Sequence, residues 1–403
     1  MDDRFETYRA LARKTASKIV LVVIDGLGGL PHPEFEHRTE LEAAALPNLD
    51  RLARASACGL STPIAPGITP GSGPSHLALF GYDPLRYDVG RGVLSALGID
   101  FELTGGDVAA RANFCTVDDE GRVLDRRGGR IPTEVCARLC ARLSAIRMPG
   151  IEFYIRPEMD YRAALVLRGS SLDGRLTDSD PLEDGQPPQA VQPLVPESMR
   201  TAEIVNAFLE QARNTLRDEY PANMLLVRGF SQHEGFPSLS EIWRLDPACL
   251  AVYPMYRGVS RLVGMKVLYA GTTLEDQVKA LEANWQSHDF FFLHVKKTDS
   301  AAKQGDFARK VEVLEAVDTL MPRLEALAPD VLAVTGDHCT PSLTRAHSWH
   351  GVPTLIWSER CLPDGVSAFD ERSVAGGSLN GMRHVDLLPL LMANAGKLQQ
   401  YGA

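Results

Sequence analysis

The sequence has no apolar run near the roughly 18 residues that a membrane-spanning helix needs. Its first twenty residues mix acids, bases and polar groups, so the apolar core of a signal peptide is not expected either. Cysteine is sparse. The seven, at positions 58, 115, 136, 140, 249, 339 and 361, are odd in number and form no CxxC pair. That usage fits a reducing, cytoplasmic setting. Cys136 and Cys140 stand four apart in a helix-like run and read as two packed thiols on one helical face. Positive charge is also in deficit. A formal net charge of −10 argues against nucleic acid or an anionic membrane as partner, because both need a net or clustered positive surface. With 403 residues, 44% of them hydrophobic and 23% charged, the chain is otherwise an ordinary globular protein with room for two domains; its oligomeric state is left open.

What is present begins with Lys18-Ile-Val-Leu-Val-Val-Ile-Asp25-Gly26, six consecutive apolar residues that end on a carboxylate. Such a run without alternation predicts a strand buried on both faces of a central parallel sheet. Ligands of open α/β sheets sit beyond the carboxyl ends of these strands, so Asp25 is either placed for chemistry or is a turn residue. The design recurs twice. Ser287-His-Asp-Phe-Phe-Phe-Leu-His-Val295 leads through Lys296-Lys297-Thr298 to Asp299, and Asp330-Val-Leu-Ala-Val-Thr335 leads to Gly336-Asp337-His338. His347 and His350 follow, just before another apolar strand at Thr354-Leu-Ile-Trp357.

Residues 1–17 predict an amphipathic helix, and LDRLARASA a second helix with Asn48 or Asp50 near its cap. The Gly/Pro/Ser-rich segment STPIAPGITPGSGPSH predicts a tight loop that delivers Ser72 to the start of a helix. A helix N-terminus favours bound phosphate, which would suit a serine engaged in covalent phosphoryl chemistry; a capped surface loop is the alternative.

From about residue 108 to 235 the texture changes to short strands (IEFYI, RAALVLRG, NMLLVRGF), two helix-like stretches and a polar, Pro-rich loop over 169–197. This predicts a smaller α+β domain inserted into a core formed by 1–107 and 236–403. Arg111, Arg126, Arg127 and Arg130 fall near the ends of its elements. Guanidinium groups bind phosphate or carboxylate through paired hydrogen bonds, so the cluster reads either as a site for a small dianion or as solvated surface.

Three strand ends bearing aspartates, with histidines just beyond the third, suit divalent metals such as Mn²⁺, Zn²⁺ or Mg²⁺. A paired metal site would depress the serine's pKa, neutralise phosphate oxygens and hold an in-line displacement.

On the motifs VVIDGLGG, TPGSGPSHLALFGYDP, GRGVLSALGID, RANFCTVD, DRRGGRI, LTDSDP, HVKKTDS, TGDHCTP and AHSWHGVP, in that order, the chain resembles the archaeal-type, 2,3-bisphosphoglycerate-independent phosphoglycerate mutases of the alkaline phosphatase superfamily. The resemblance implies an alkaline-phosphatase-like α/β core with a mostly parallel sheet, interrupted by an inserted domain that closes over glycerate. It implies interconversion of 2- and 3-phosphoglycerate through a phosphoserine at Ser72, with no 2,3-bisphosphoglycerate and one or two divalent metals. Asp25, Ser72, Asp337 and His338 match one metal site, and Asp299 and His347 the other; His350 is expected only to pack nearby. The arginines of the insert, with Arg257 in MYRG, match the anion ligands.

One position departs from the family pattern. Where many relatives have a histidine four residues after the aspartate of HVKxTD, this chain has Lys303. An ammonium has no lone pair for a metal and repels one. Three outcomes follow: a second metal held by Asp299, His347 and a substitute such as Asp306; a single-metal enzyme in which the ammonium stands in for the missing cation; or loss of activity. Retained activity is expected, since the other ligand residues are present. A metal-dependent phosphatase or phosphodiesterase and a degenerate phospho-ligand binding protein are the competing readings.

Overall fold

A computed structural model describes residues 3–87, 89–232 and 235–402. Its strands, in chain order, are β1 (Ile19–Ile24), β2 (Ala57–Ser61), β3 (Val108–Val117), β4 (Val123–Asp125), β5 (Glu152–Met159), β6 (Arg162–Arg168), β7 (Met224–Gln232), β8 (Pro247–Leu250), β9 (Lys266–Val267), β10 (Phe290–Val295), β11 (Val331–Thr335) and β12 (Val352–Ser358). They fall into two compact units, one of Met1–Asp88, Pro237–Tyr253 and Val263–Ala403, the other of Val89–Phe236 with Pro254–Leu262.

The first unit carries a seven-stranded sheet in the order β2-β12-β11-β1-β10-β8-β9. Every residue of β1, β10 and β11 is buried, as expected of strands that are apolar on both faces. β1 lies between β10 and β11 and is parallel to both. β12 alone runs against the rest, pairing antiparallel with β11 and β2. The register aligns Ile24 with Val295 and Val23 with Thr335. Asp25, Lys296 and Gly336 therefore leave the sheet at one edge. Val20, Val22 and Ile24 pack in one core with Leu314, Val317 and Met321 of the helix Phe307–Ala326.

Two local expectations change. The first helix spans Asp3–Leu11, and Ala12 bridges Leu398 instead of extending it. The helix predicted within LDRLARASA starts earlier, at Pro47, and neither Asn48 nor Asp50 caps it through its side chain. Its first amides are satisfied from afar: the Asp318 carboxylate accepts from Asn48 N at 3.1 Å and from Leu49 N at 2.7 Å. A tertiary carboxylate meets the orphan donors of the first turn, a pairing that spacing along the chain does not reveal.

The second unit is built on an antiparallel sheet, β4-β3-β6-β5, with β7 also paired to β3. Alternation along β3 puts Val108, Ala110, Ala112 and Phe114 into a core with Cys136, Leu139 and Cys140 of the helix Thr133–Leu143 and Phe208 and Ala212 of the helix Met199–Leu216. Cys136 and Cys140 are thus packing residues. The segment 169–197 runs as a loop pinned by a bridge between Leu176 and Pro193. This unit is larger than the 108–235 read from the change of texture. The helix Arg91–Gly98 joins it because a Cβ on Gly92 would lie 2.1 Å from Ala109 O, and Pro254–Leu262 joins it because a Cβ on Gly258 would lie 2.1 Å from Leu94 O. Bare glycine backbones let these helices approach more closely than a side chain permits.

Candidate metal centre and serine

The three central strands of the first unit deliver their carboxylates to one place. Asp25 directly follows β1, Asp337 lies two residues beyond β11, and Asp299 lies in the first turn of the helix Lys297–Gln304 after β10. Ser72 is the first residue of the helix Ser72–Leu79, with Gly71 as N-cap. The positive φ of Gly26, +67°, turns the chain away just after Asp25, and a Cβ there would stand 2.6 Å from Thr340 Oγ1. Only glycine fits that turn.

His338 sits at the middle of the cluster. Its Nε2 lies 3.1 Å from Ser72 Oγ, 3.1 Å from Asp337 Oδ2 and 3.5 Å from Asp25 Oδ1. The His347 ring stacks on it, with centroids 3.5 Å apart, and directs Nε2 toward Asp299 Oδ1 at 3.6 Å. Two groups of ligand atoms result, Asp25, Asp337 and His338, and Asp299, His338 and His347, each with its atoms within 4.8 Å of one another. His350 stands apart, stacked on Trp349. Asp306 is spent as an N-cap, accepting from Arg309 N at 2.9 Å.

Hydrogen bonds orient the imidazoles. His347 Nδ1 donates to Pro70 O at 2.9 Å, which leaves the Nε2 lone pair toward the cluster. Thr340 Oγ1 donates to Asp299 Oδ1 at 3.0 Å, so its lone pair is left for His338 Nδ1 at 3.1 Å. In the neutral His338 ring Nε2 is then the unprotonated nitrogen.

Burial and the Asp337 charge push Asp25 up to about 7. Burial works upward on Asp337 as well, but the neighbouring His338 outweighs it and holds the carboxyl far below its usual range. The same pair raises His338 against the downward pull of burial. Lys296 is caught between carboxylates, 2.9 Å from Asp25 Oδ2 and in contact with Asp299 Oδ2, which more than offsets burial and lifts its pKa. Asp299 would be raised by burial, yet His347, Lys296 and Lys303 together hold it well below the ordinary carboxylate value.

The donor set fits a divalent cation. Asp337 Oδ2 and His347 Nε2 are buried with no hydrogen-bond partner, an arrangement that costs free energy unless something else satisfies them. Carboxylate oxygen with neutral imidazole suits Mn²⁺, Zn²⁺ or Mg²⁺.

In the second unit the predicted arginines separate. Arg126 binds Asp180 through two bonds, 2.8 and 2.9 Å, and Arg228 reaches the same carboxylate at 3.2 Å. Arg111 is the cross-strand partner of Arg228, and its Nε lies 3.5 Å from Glu158 Oε2. Arg257 pairs with Asp100 at 3.0 Å. Arg127 and Arg130 are exposed.

Sequence reasoning missed several residues. Thr340 and Lys296 bind the aspartates directly, and His76 and His294 back them: His76 Nδ1 donates to Ser72 O at 2.7 Å, and His294 Nε2 is 3.6 Å from Asp25 Oδ2. A histidine four residues after Ser72 on one helix face, and polar residues inside or abutting an apolar strand, were the available signals. Arg228 was also missed, although it ends the apolar run of β7.

An α/β protein with an oxygen-and-imidazole cluster and a helix-terminal serine at the carboxyl edge of a mainly parallel sheet is the class that fold and site define. The chain belongs to the 2,3-bisphosphoglycerate-independent phosphoglycerate mutase family. The family model of that description matches residues 53–223. A Thermus thermophilus protein named probable 2,3-bisphosphoglycerate-independent phosphoglycerate mutase is 51% identical over 406 residues, covering 100% of both chains. Among solved structures, the cofactor-independent phosphoglycerate mutase of Thermoplasma acidophilum is 35% identical, with a TM-score of 0.72 over 94% of this chain and 100% of that one. A Pyrococcus horikoshii protein aligns with a TM-score of 0.84 at 27% identity, over 97% of this chain and 100% of that one.

Proposed function

We propose that this chain interconverts 2-phosphoglycerate and 3-phosphoglycerate through a phosphoserine at Ser72, on a divalent-metal site and without 2,3-bisphosphoglycerate. Family membership supports the reaction. The observation that carries the mechanism is Ser72 Oγ at a helix N-terminus, 3.1 Å from His338 Nε2 and beside the Asp25–Asp337 pair. Asp25, Ser72, Asp337 and His338 would hold one cation, with Asp299 and His347 around a second position. A bound divalent cation would lower the proton affinity of the serine hydroxyl and neutralise phosphate oxygens.

The protein's own groups do the rest. His338 Nε2 orients the Ser72 hydroxyl until a cation takes that lone pair, and the first-turn amides of Ser72 and Gly73, ahead of the Ser75 N to Gly71 O bond, would face incoming phosphate oxygens. Ser72 Oγ attacks phosphorus, its proton leaves, the P–O bond to glycerate breaks, and the released glycerate oxygen takes up a proton. Glycerate reorients and its other hydroxyl attacks the phosphoserine, restoring Ser72. Anion recognition is assigned first to Arg111, whose buried Nε has no hydrogen-bond partner, and to the exposed Arg127 and Arg130; Arg126 and Arg257 could join only by giving up Asp180 and Asp100. The second unit, as a closing domain, would keep water from the phosphoserine. Seven free cysteines, six of them buried, support a reducing cytoplasm as its setting.

An enolase-coupled assay with a Mn²⁺, Zn²⁺ and Mg²⁺ series tests the reading. Exchange between the two phosphoglycerates, lost in Ser72→Ala, is expected. Steady release of inorganic phosphate would return the phosphatase reading, and binding without exchange the degenerate one.

A further inference from the structure

The two ligand groups differ in how much of them is still available to a cation. In the first, two carboxylates converge on His338, and Asp337 Oδ2 is buried without a hydrogen-bond partner. In the second, one carboxylate serves alone and both of its oxygens are engaged. Asp299 Oδ1 accepts from Thr340 Oγ1 at 3.0 Å, while Oδ2 contacts Lys296 and accepts from Lys303 Nζ at 2.9 Å. Lys303 lies one helical turn after Asp299 in Lys297–Gln304, so the helix itself keeps the two side chains on one face. Ammonium and divalent cation compete for one carboxylate there, and the ammonium is covalently tethered.

We propose that the protein takes one divalent cation, at Asp25, Asp337, His338 and Ser72, and that the Lys303 ammonium supplies the positive charge at Asp299 in place of a second ion. The proposal deepens the metal-dependent reading above and names the chain's own substitute for half of the centre. A divalent ion at Asp299 would face a like charge at ion-pair distance. Such repulsion, lessened by the partial exposure of Lys303, is expected to separate the two affinities by about a hundredfold. Lys303 would also bring a donor to the phosphate oxygens that a metal would otherwise meet.

Mn²⁺ titration of the metal-free full-length protein tests this, with free Mn²⁺ read by electron paramagnetic resonance and bound metal counted after gel filtration. One equivalent per chain is expected. It should persist in Asp299→Asn and be lost in Asp337→Asn. Lys303→His, at a half-exposed position that does not threaten folding, should bind two. Two tight equivalents in the unsubstituted protein, none at all, loss of the ion in Asp299→Asn, or a single equivalent in Lys303→His would each overturn the proposal. The count is independent of turnover: one bound Mn²⁺ without exchange of phosphoglycerate would defeat the proposed reaction and leave the single-ion site standing.

Discussion

The Thr340 hydroxyl stands 3.1 Å from His338 Nδ1 and is itself polarised by Asp299, to which it donates at 3.0 Å. This short chain sets the imidazole so that Nε2 faces Ser72. Partners of this kind around a metal ligand are typically worth about 10–100-fold in affinity or activity. Thr340→Val, nearly isosteric, should lower kcat and Mn²⁺ affinity by about that factor, while Thr340→Ser should recover most of both. Steady-state kinetics beside Mn²⁺ titration would measure it; equal kcat in the valine variant would remove Thr340 from the machinery.

Lys310 is fully buried and donates to Gly28 O at 3.1 Å and Thr340 O at 2.9 Å, with Glu40 Oε2 at 3.6 Å. It ties the loop after β1 to the loop after β11. Lys310→Met keeps the stem but strands the buried Glu40 carboxylate, so unfolding free energy should fall by about 3–5 kcal/mol. Urea denaturation would show it as a lower midpoint at unchanged slope.

Asp180 predicts an acid-side dependence of stability. Burial would raise its pKa, but Arg126 and Arg228 outweigh that and hold it below the ordinary aspartate value. A carboxyl with a depressed folded pKa stabilises fully above the unfolded value and loses that contribution as the pH falls through the folded one. Thermal midpoints should therefore drop below about pH 4, and Asp180→Asn should flatten that limb.

Arg228 and Arg111 each keep a buried Nε without a hydrogen-bond partner, that of Arg111 being 3.5 Å from Glu158 Oε2. Hydrogen bonds to charged groups contribute about 1.5–3 kcal/mol, or roughly 10–100-fold. If these donors meet an anionic substrate, Arg228→Ala should raise KM for phosphoglycerate by that factor. A KM unchanged within error would confine Arg228 to its ion pair with Asp180.

Much of the first unit was readable because its central strands are apolar on both faces and are followed within a few residues by carboxylates, a pattern that fits a buried parallel sheet. The short strands IEFYI and RAALVLRG were legible too, as β5 and β6, though not their antiparallel pairing. The cap of Pro47–Arg54 was not, since Asp318 is some 270 residues away in sequence. The extent of the second unit was hidden for a related reason: helix Arg91–Gly98 belongs with β3 through a glycine contact that has no signature along the chain.

Local chemistry therefore determined the α/β class, the three aspartates at strand ends and Ser72 at a helix start, because burial and backbone geometry act over a few residues. Tertiary structure alone decided which of those groups meet. Placing β1 between β10 and β11 brings Asp25, Asp299 and Asp337 together, and the loops beyond them set Thr340 on His338, Lys296 between two aspartates and Lys303 on Asp299. Lys303 on Asp299 and Thr340 beside His338 are local neighbours, but the meeting of Asp25 with Lys296, of Thr340 with Asp299 and of the three aspartates joins segments far apart in sequence, and those energies come from distance and desolvation, which the order of residues does not contain.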